Sequence, residues 1–345
     1  MKKYKRILII RTDRIGDVVL STPVIKALRD NFPSAYIAMM VSPFTRELVE
    51  GNPFLDEVIV YDKANKQKGF VNNLRFILAL RKKRFDLAVI LHSTNRVNII
   101  AFLAGIKYRA GYSRRLGLLL TKNIPYSKYK GEKHEVEYNL DILRAIGAKI
   151  TDVSLYIPKD ENSEKWADAL LAWHDIKKDD KFIVLHPSAS CLSRMWPVEK
   201  FAQVANRLIS LYHTKIVIVS GNNDIILARK LFEQINSSAI NLAGKTNLMQ
   251  LVSILRRAGL MISNDSGPVH IAVACGLPVV VLFGRSQPGI SPKRWGPLGS
   301  QDIVLHKKVG CAICLAHDCK NNFLCLKSIE VDDVLQAVDR ILKVC

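Results

Sequence analysis

The sequence predicts an α/β protein made of two doubly wound parallel sheets that face a cleft. Three observations predict this class. Short continuous apolar runs alternate with segments of helical periodicity, the pattern of a parallel sheet covered on both faces. The alternation stops at a polar stretch near residues 158–181 and then restarts. A chain of 345 residues also exceeds what one hydrophobic core comfortably serves.

In order, the first half predicts a strand over 7–10, a helix over 18–31, a strand over 36–42, a helix over 45–50 and a strand over 58–61. A helix over 75–83, a strand over 87–91 and a helix over 97–104 follow. The polar run Pro158-Lys159-Asp160-Glu161-Asn162 opens the connection between domains, which carries a short helix over 166–173. The second half predicts strands over 182–185, 216–220, 260–263 and 279–283. Helices are predicted over 198–209, 225–235, 248–257 and 269–275, and a last one over 331–344. The expected domains are 1–160 and 161–330, with a C-terminal helix over 331–345. No internal repeat or low-complexity tract stands out.

Composition bounds the function. Lys and Arg number 51 against 31 Asp and Glu, a formal charge of +20. Residues 1–150 hold 28 of the basic and 13 of the acidic residues, with clusters such as Arg81-Lys82-Lys83-Arg84 and Lys128-Tyr129-Lys130. Such an excess suggests an anionic partner: nucleic acid, an anionic membrane face or a phosphorylated glycan. A solvated basic surface without a partner is the plain alternative. No apolar run reaches the length of a membrane span. The apolar run after the basic N-terminus stops at Arg11, too early for a signal-peptide core, so a cytoplasmic location is expected.

The most informative segment is Asn264-Asp265-Ser266-Gly267-Pro268-Val269-His270. It joins a buried strand to a small-residue helix that ends at Cys275-Gly276. Unpaired N–H groups and the helix dipole make such a junction a seat for phosphate. Arg11-Thr12-Asp13-Arg14-Ile15-Gly16-Asp17 follows the first strand. Gly16 permits close backbone approach. By position Asp17 either faces the cleft or caps its helix. His186-Pro187-Ser188-Ala189-Ser190 follows the first strand of the second half and leads to Ser193-Arg194-Met195-Trp196-Pro197. Ser188 could bond phosphate oxygens and Arg194 neutralise them, or Arg194 could be an ordinary surface arginine. Neither a dinucleotide fingerprint nor a P-loop is present.

Together these segments resemble the ADP-heptose:lipopolysaccharide heptosyltransferases, glycosyltransferase family 9. The resemblance rests on Arg14-Ile15-Gly16-Asp17-Val18, Arg194-Met195-Trp196-Pro197, and Asp265-Ser266-Gly267-Pro268-Val269-His270 running on to Cys275-Gly276-Leu277-Pro278 and Leu282-Phe283-Gly284. It covers nearly the whole chain. It implies two Rossmann-like domains in the GT-B arrangement, with acceptor on the first and nucleotide-sugar on the second. It implies Asp17 as general base. Ser188, Arg194, Asp265, Ser266, Gly267 and His270 are implied to hold the donor, and Asp224, on a looser match, its ribose. Some members carry lysine where this chain has Arg194. Arg14, Gly16, Arg114 and Arg115 are the expected acceptor contacts.

The implied reaction is an inverting transfer of heptose, or a related sugar, from ADP-heptose to the inner core of lipopolysaccharide or a similar lipid-linked glycan. No Asp-x-Asp motif is present to hold a divalent ion, and arginine with a helix start can stabilise the departing diphosphate. No catalytic metal or other cofactor is therefore expected. The partners expected are an ADP-sugar, an anionic lipid-linked acceptor and, peripherally, the cytoplasmic face of the inner membrane. A nucleotide-sugar epimerase of the same fold is the alternative. A basic nucleic-acid-binding protein is a weaker one, since no nucleic-acid module is recognisable.

Cys311, Cys314, Cys319 and Cys325 follow a C-x₂-C-x₄-C-x₅-C spacing, compatible with a structural zinc site or with free thiols in a loop. Cys191, Cys275 and Cys345 read as packing or incidental residues. His92 and His134 are isolated in sequence and read as structural or exposed. Residues 108–115 read as a basic loop on the acceptor half.

Overall fold

A computed structural model describes residues 3–114, 116–235, 239–311, 314 and 316–343. The chain divides into two compact units, Met1–Pro158 and Lys159–Cys345.

The first unit holds strands β1 (Arg6–Ile10), β2 (Tyr36–Val41), β3 (Glu57–Val60), β4 (Leu87–Ile90), β5 (Tyr108–Ser113) and β6 (Lys122–Pro125). They form a parallel sheet in the order β3-β2-β1-β4-β5-β6. Its helices are α1 (Ile15–Val19), α2 (Thr22–Asn31), α3 (Phe70–Lys82), α4 (Asn95–Leu103) and α5 (Glu135–Ala145). The central strands β1 and β4 are buried on both faces because helices cover both. Each fully buried Ile, Leu or Val there contributes about 1.5–3 kcal/mol.

The second unit opens with α6 (Glu161–Trp173) and holds β7 (Ile183–His186), β8 (Ile216–Ile218), β9 (Ala239–Asn241), β10 (Leu260–Asn264), β11 (Val279–Leu282) and β12 (Ile303–Leu305). The sheet is again parallel, in the order β12-β11-β10-β7-β8-β9. Helices α7 (Val198–Tyr212), α8 (Ile225–Glu233), α9 (Leu248–Arg257), α10 (Gly267–Ala274), α11 (Pro292–Trp295), α12 (Leu324–Lys327) and α13 (Val331–Leu342) complete it. The terminal helix α13 is no appendage. Its Val334, Leu335, Val338 and Ile341 are buried in the core of this unit.

Several local expectations change. The helix expected over 18–31 is two helices, because Pro23 lacks the N–H needed to continue α1 and sits instead in the first turn of α2. The Ser21 hydroxyl donates to the Asp17 carbonyl (2.7 Å) at the break. The segment expected as a helix over 45–50 is a 3₁₀ turn, Pro43–Leu48. Residues 108–115, read as a loop, contain strand β5; its Arg and Gly residues hide the apolar pattern. Helix α5 was not expected either. The His134 Nδ1 caps it, accepting from Val136 N at 3.2 Å, which accounts for that histidine structurally.

Candidate functional site

In an open parallel sheet, ligands meet the carboxyl ends of the strands where the strand order reverses. Each sheet here has one such point, between β1 and β4 and between β7 and β10. Both are built from polar side chains.

At the first, Arg11 leaves the end of β1 buried and gathers three carboxylates. Its Nε lies 2.8 Å from Asp13 Oδ1, its Nη1 3.3 Å from Glu135 Oε1, and its Nη2 donates to Asp17 Oδ1. Nη1 also donates to Asn139 Oδ1 (3.2 Å) and the Leu91 carbonyl (3.4 Å). The Lys128 ammonium is 2.7 Å from Glu135 Oε1, so α5 supplies a carboxylate that ties both cations together. Burial alone would lower the Arg11 pKa, but Asp13, Asp17 and Glu135 outweigh it and raise it, so Arg11 stays charged.

Asp13 is pushed up to about 6 by burial and by the Asp17 charge, against the pull of Arg11. His92 Nδ1 stands 3.2 Å from Asp13 Oδ2. Burial, then the positive charge of Arg11, hold this imidazole down near 4, so it is neutral at pH 7. His92 is therefore not the isolated residue its sequence position suggested. Asp17 lies in the first turn of α1 with its side chain only 15% exposed. Arg11 holds its Oδ1, and among the described residues nothing hydrogen-bonds its Oδ2. A carboxylate oriented through one oxygen, with the other open, can accept a proton.

Of the expected acceptor contacts, Gly16 is buried in α1 and Arg14 is exposed just before it. Arg114 is exposed, with its guanidinium carbon 5.2 Å from the centre of the Tyr126 ring. Arg115 lies outside the described residues.

At the second switch point, Asn264 pins the loops together. Its Oδ1 accepts from Trp196 N (3.0 Å) and its Nδ2 donates to the Pro187 carbonyl (2.6 Å). Trp196, just before α7, is a buried anchor: its Nε1 donates to the Ile329 carbonyl (3.0 Å) and its ring packs on Phe201 in the first turns of that helix (centroids 5.1 Å apart). These contacts set Arg194 so that its Nε is 3.3 Å from Asp265 Oδ2. Ser266 precedes α10 and Gly267 begins it; Pro268 has no N–H and Val269 N donates to the Ser266 carbonyl (3.3 Å), so the N–H of Gly267 is the donor this helix start offers. Ser266 Oγ stands 3.2 Å from His186 Nδ1, and burial holds His186 near 4 and neutral. Ser188 is buried, and among the described residues its Oγ has no hydrogen-bond partner. His270 is buried within α10. Asp224 immediately precedes α8, half-buried, and among the described residues no hydrogen bond or ion pair joins it to Asp265.

One residue here escaped the sequence analysis. Arg285 is buried at 4% exposure, and its Nη2 lies 2.7 Å from Asp265 Oδ2. Among the described residues its Nε has no hydrogen-bond partner. Gly284 allows this approach, because a Cβ there would stand 2.8 Å from the Ser193 carbonyl oxygen and closer still to Leu326. Two guanidiniums thus share one carboxylate and leave net positive charge beside the α10 start. The available signal was an arginine directly after the Leu282-Phe283-Gly284 strand end.

Cys311, Cys314, Cys319 and Cys325 line one cavity of about 590 Å³. Burial would raise the Cys314 thiol, but N–H groups of Ser286, Ala316 and Gln287 outweigh it and hold it below its ordinary value. Phe323 N donates to Cys319 Sγ (3.4 Å) and Asn321 Nδ2 to Cys311 Sγ (3.2 Å). Among the described residues no three Cys, His, Asp or Glu side chains stand in metal-binding geometry. Cys275 is half-buried, and burial of its thiol pushes it up to about 12.

Two doubly wound sheets, one presenting an oriented carboxylate and the other paired guanidiniums at a helix start, are the parts of a glycosyltransferase. Residues 73–324 match the model of glycosyltransferase family 9 (heptosyltransferase). The chain belongs to that family, has its GT-B fold, and is a heptosyl-transfer enzyme. It is 26% identical over 335 residues to lipopolysaccharide heptosyltransferase 3 of Escherichia coli K12, covering 95% of each chain. A family 9 glycosyltransferase structure from Veillonella parvula superimposes with a TM-score of 0.91 at 27% identity, over 100% of this chain and 99% of that one. The structure of E. coli ADP-heptose lipopolysaccharide heptosyltransferase II gives 0.79 at 22% identity, over 98% and 99%. Family membership favours transfer over the epimerase alternative. No helix among the described residues is long and apolar enough to cross a membrane.

Proposed function

We propose that this enzyme transfers heptose from ADP-heptose to the inner core of a lipopolysaccharide, with inversion and without a catalytic metal. The observation that carries it is the Arg194–Asp265–Arg285 cluster beside the α10 start, with the unpaired Ser188 hydroxyl in the neighbouring loop. Arg194, Arg285, Ser188 and the N–H of Gly267 bind the diphosphate and stabilise its charge as the sugar leaves. Asp265 and His270 orient the donor, and Asp224 meets the ribose. Asp17, held by Arg11, takes the proton of the acceptor hydroxyl as that oxygen attacks the anomeric carbon from the face opposite the diphosphate. Arg14, Gly16, Arg114 and Arg115 meet the acceptor. Likeness to lipopolysaccharide heptosyltransferase 3 and to ADP-heptose lipopolysaccharide heptosyltransferase II of E. coli supports the donor and acceptor chosen. The enzyme works at the cytoplasmic face of the inner membrane, in peripheral contact with it, and does not bind nucleic acid.

Calorimetric titration with ADP, UDP, GDP and CDP, without added metal, tests this. Selective ADP binding is expected. A preference for UDP or GDP would move the enzyme away from ADP-heptose, and no binding to any nucleotide would overturn the proposal.

The cysteine loop is proposed as a structural zinc site, outside the catalytic chemistry. The fit rests on four thiols around one cavity, with N–H groups already directed at three of the sulfurs. Metal binding would draw those sulfurs together. Elemental analysis of purified protein should find about one zinc per chain; clearly substoichiometric metal would remove the site.

A further inference from the structure

Helix α3 exposes apolar residues where a soluble helix carries polar ones. Phe70 (81% exposed), Leu74 and Leu78 follow each other at four-residue spacing, so they share one face. The buried face of the same helix is carried by Ile77 and Leu80, which enter the core of the first unit. Helix α4 packs beside α3 and exposes Ile99, Phe102 and Leu103. Two adjacent helices thus present apolar side chains outward, beyond the scattered exposure ordinary surfaces show.

The charge around this face is predominantly positive, although Glu57 pairs with Lys83 just past the end of α3 and Asp62 lies in the loop before it. Between residues 63 and 131 there are 16 Lys and Arg residues and a single acid, Asp86. That acid is occupied, because its carboxylate accepts from the backbone N–H groups of Lys5 and Arg6. Where the ends of α3 and α4 meet lies an open cavity of about 670 Å³. Leu78 and Ala104 supply its apolar wall, and Arg81, Lys82 and Arg84 its cations.

We propose that the α3–α4 face is the membrane-docking surface of this enzyme. Phe70, Leu74, Leu78, Phe102 and Leu103 enter the headgroup boundary of an anionic bilayer, and Arg81, Lys82 and Arg84 take lipid phosphates in the cavity. Apolar residues flanked by an excess of basic ones match the chemistry of an anionic lipid surface, where aliphatic stems lie among acyl chains and charged heads among phosphates. A face of this composition would repel a second copy of itself, since it presents cations to cations. The inference deepens the proposed peripheral membrane contact and rests on it for its purpose, which is to bring the first unit to a lipid-linked acceptor.

The test is co-sedimentation of the full chain with vesicles of phosphatidylglycerol and phosphatidylethanolamine, against phosphatidylcholine vesicles. Binding to the anionic vesicles alone is expected, and it weakens as salt rises. Leu74→Ser with Phe102→Ser, and separately Arg81→Glu with Lys82→Glu, should each weaken it at least about tenfold. All four positions are exposed, so melting temperatures should match the unaltered chain. Unaltered chain that stays in the supernatant overturns the proposal. So do variants that bind as well as it does, a preference for a duplex oligonucleotide over vesicles, or self-association abolished by the serine pair. ADP binding by the same preparations reads the transferase proposal separately. Its absence would sink that proposal and leave the vesicle result standing.

Discussion

Arg285 Nη2 lies 2.7 Å from Asp265 Oδ2, and both residues are buried at the end of the second sheet. Arg194 approaches the same oxygen at 3.3 Å. A carboxylate needs one partner to be neutralised, so the second guanidinium leaves charge over for a ligand. The partnerless Nε of Arg285 adds a donor to that surplus.

Arg285→Met should therefore weaken ADP binding by roughly ten- to a hundredfold, the worth of a hydrogen bond to a charged group. AMP, with one phosphate fewer, should lose much less. Arg285→Lys keeps the charge without the fork and should fall between. Calorimetry on the three proteins checks this. An unchanged ADP affinity in the methionine variant would confine Arg285 to holding Asp265.

Asp17→Asn keeps the shape of the side chain and removes the base. Transfer should drop by about 10²–10⁴, while ADP binding, centred on the second sheet, stays as it was. Turnover near the unaltered rate would remove Asp17 from the mechanism.

Arg11→Met would leave Asp13, Asp17 and Glu135 buried together with Lys128 as their remaining buried cation. Breaking a buried ion network from one side costs about 3–5 kcal/mol. The melting temperature should fall sharply, and Asp13→Asn in the same chain should recover part of the loss. A melting curve that does not move would show that the network adds nothing to stability.

Acid should weaken the second unit through His186. Its folded pKa, near 4, lies below the ordinary 6.5 because burial disfavours the imidazolium. The stability this contributes is present above pH 6.5 and is lost as pH falls toward 4, on the order of 3 kcal/mol at the acid end. Asp13 runs the other way: its raised pKa favours the folded state below about 3.8, and that contribution is lost as pH rises through about 6. Comparing melting temperature against pH for the unaltered chain and His186→Asn isolates the histidine. The variant should show a shallower acid limb, and parallel curves would reject the assignment.

Much of this was legible in the sequence. Buried parallel strands such as 7–10 and 279–282 are apolar throughout, so their pattern needs no tertiary information. Helix starts announce themselves through local residue types, as Asp265-Ser266-Gly267-Pro268 does ahead of α10. Less legible were β5, an inner strand whose Arg and Gly hide its apolar pattern, and the edge strand β6, which carries Lys and Pro at positions an edge strand tolerates.

What the sequence determined by itself is the fold class, the family and the placement of Asp17, Arg194 and Asp265 at strand ends. Tertiary structure alone decided which charges meet. Arg11 reaches Glu135 across 124 positions and Asp265 reaches Arg285 across 20, distances at which no periodicity links one residue to another. Helix α3 likewise shows in sequence only that it is amphipathic. Packing places Ile77 and Leu80 in the core and leaves Phe70, Leu74 and Leu78 outside. Backbone periodicity is a local property of the chain. Ion pairing and the choice of exposed face depend on how strands far apart in sequence are brought side by side.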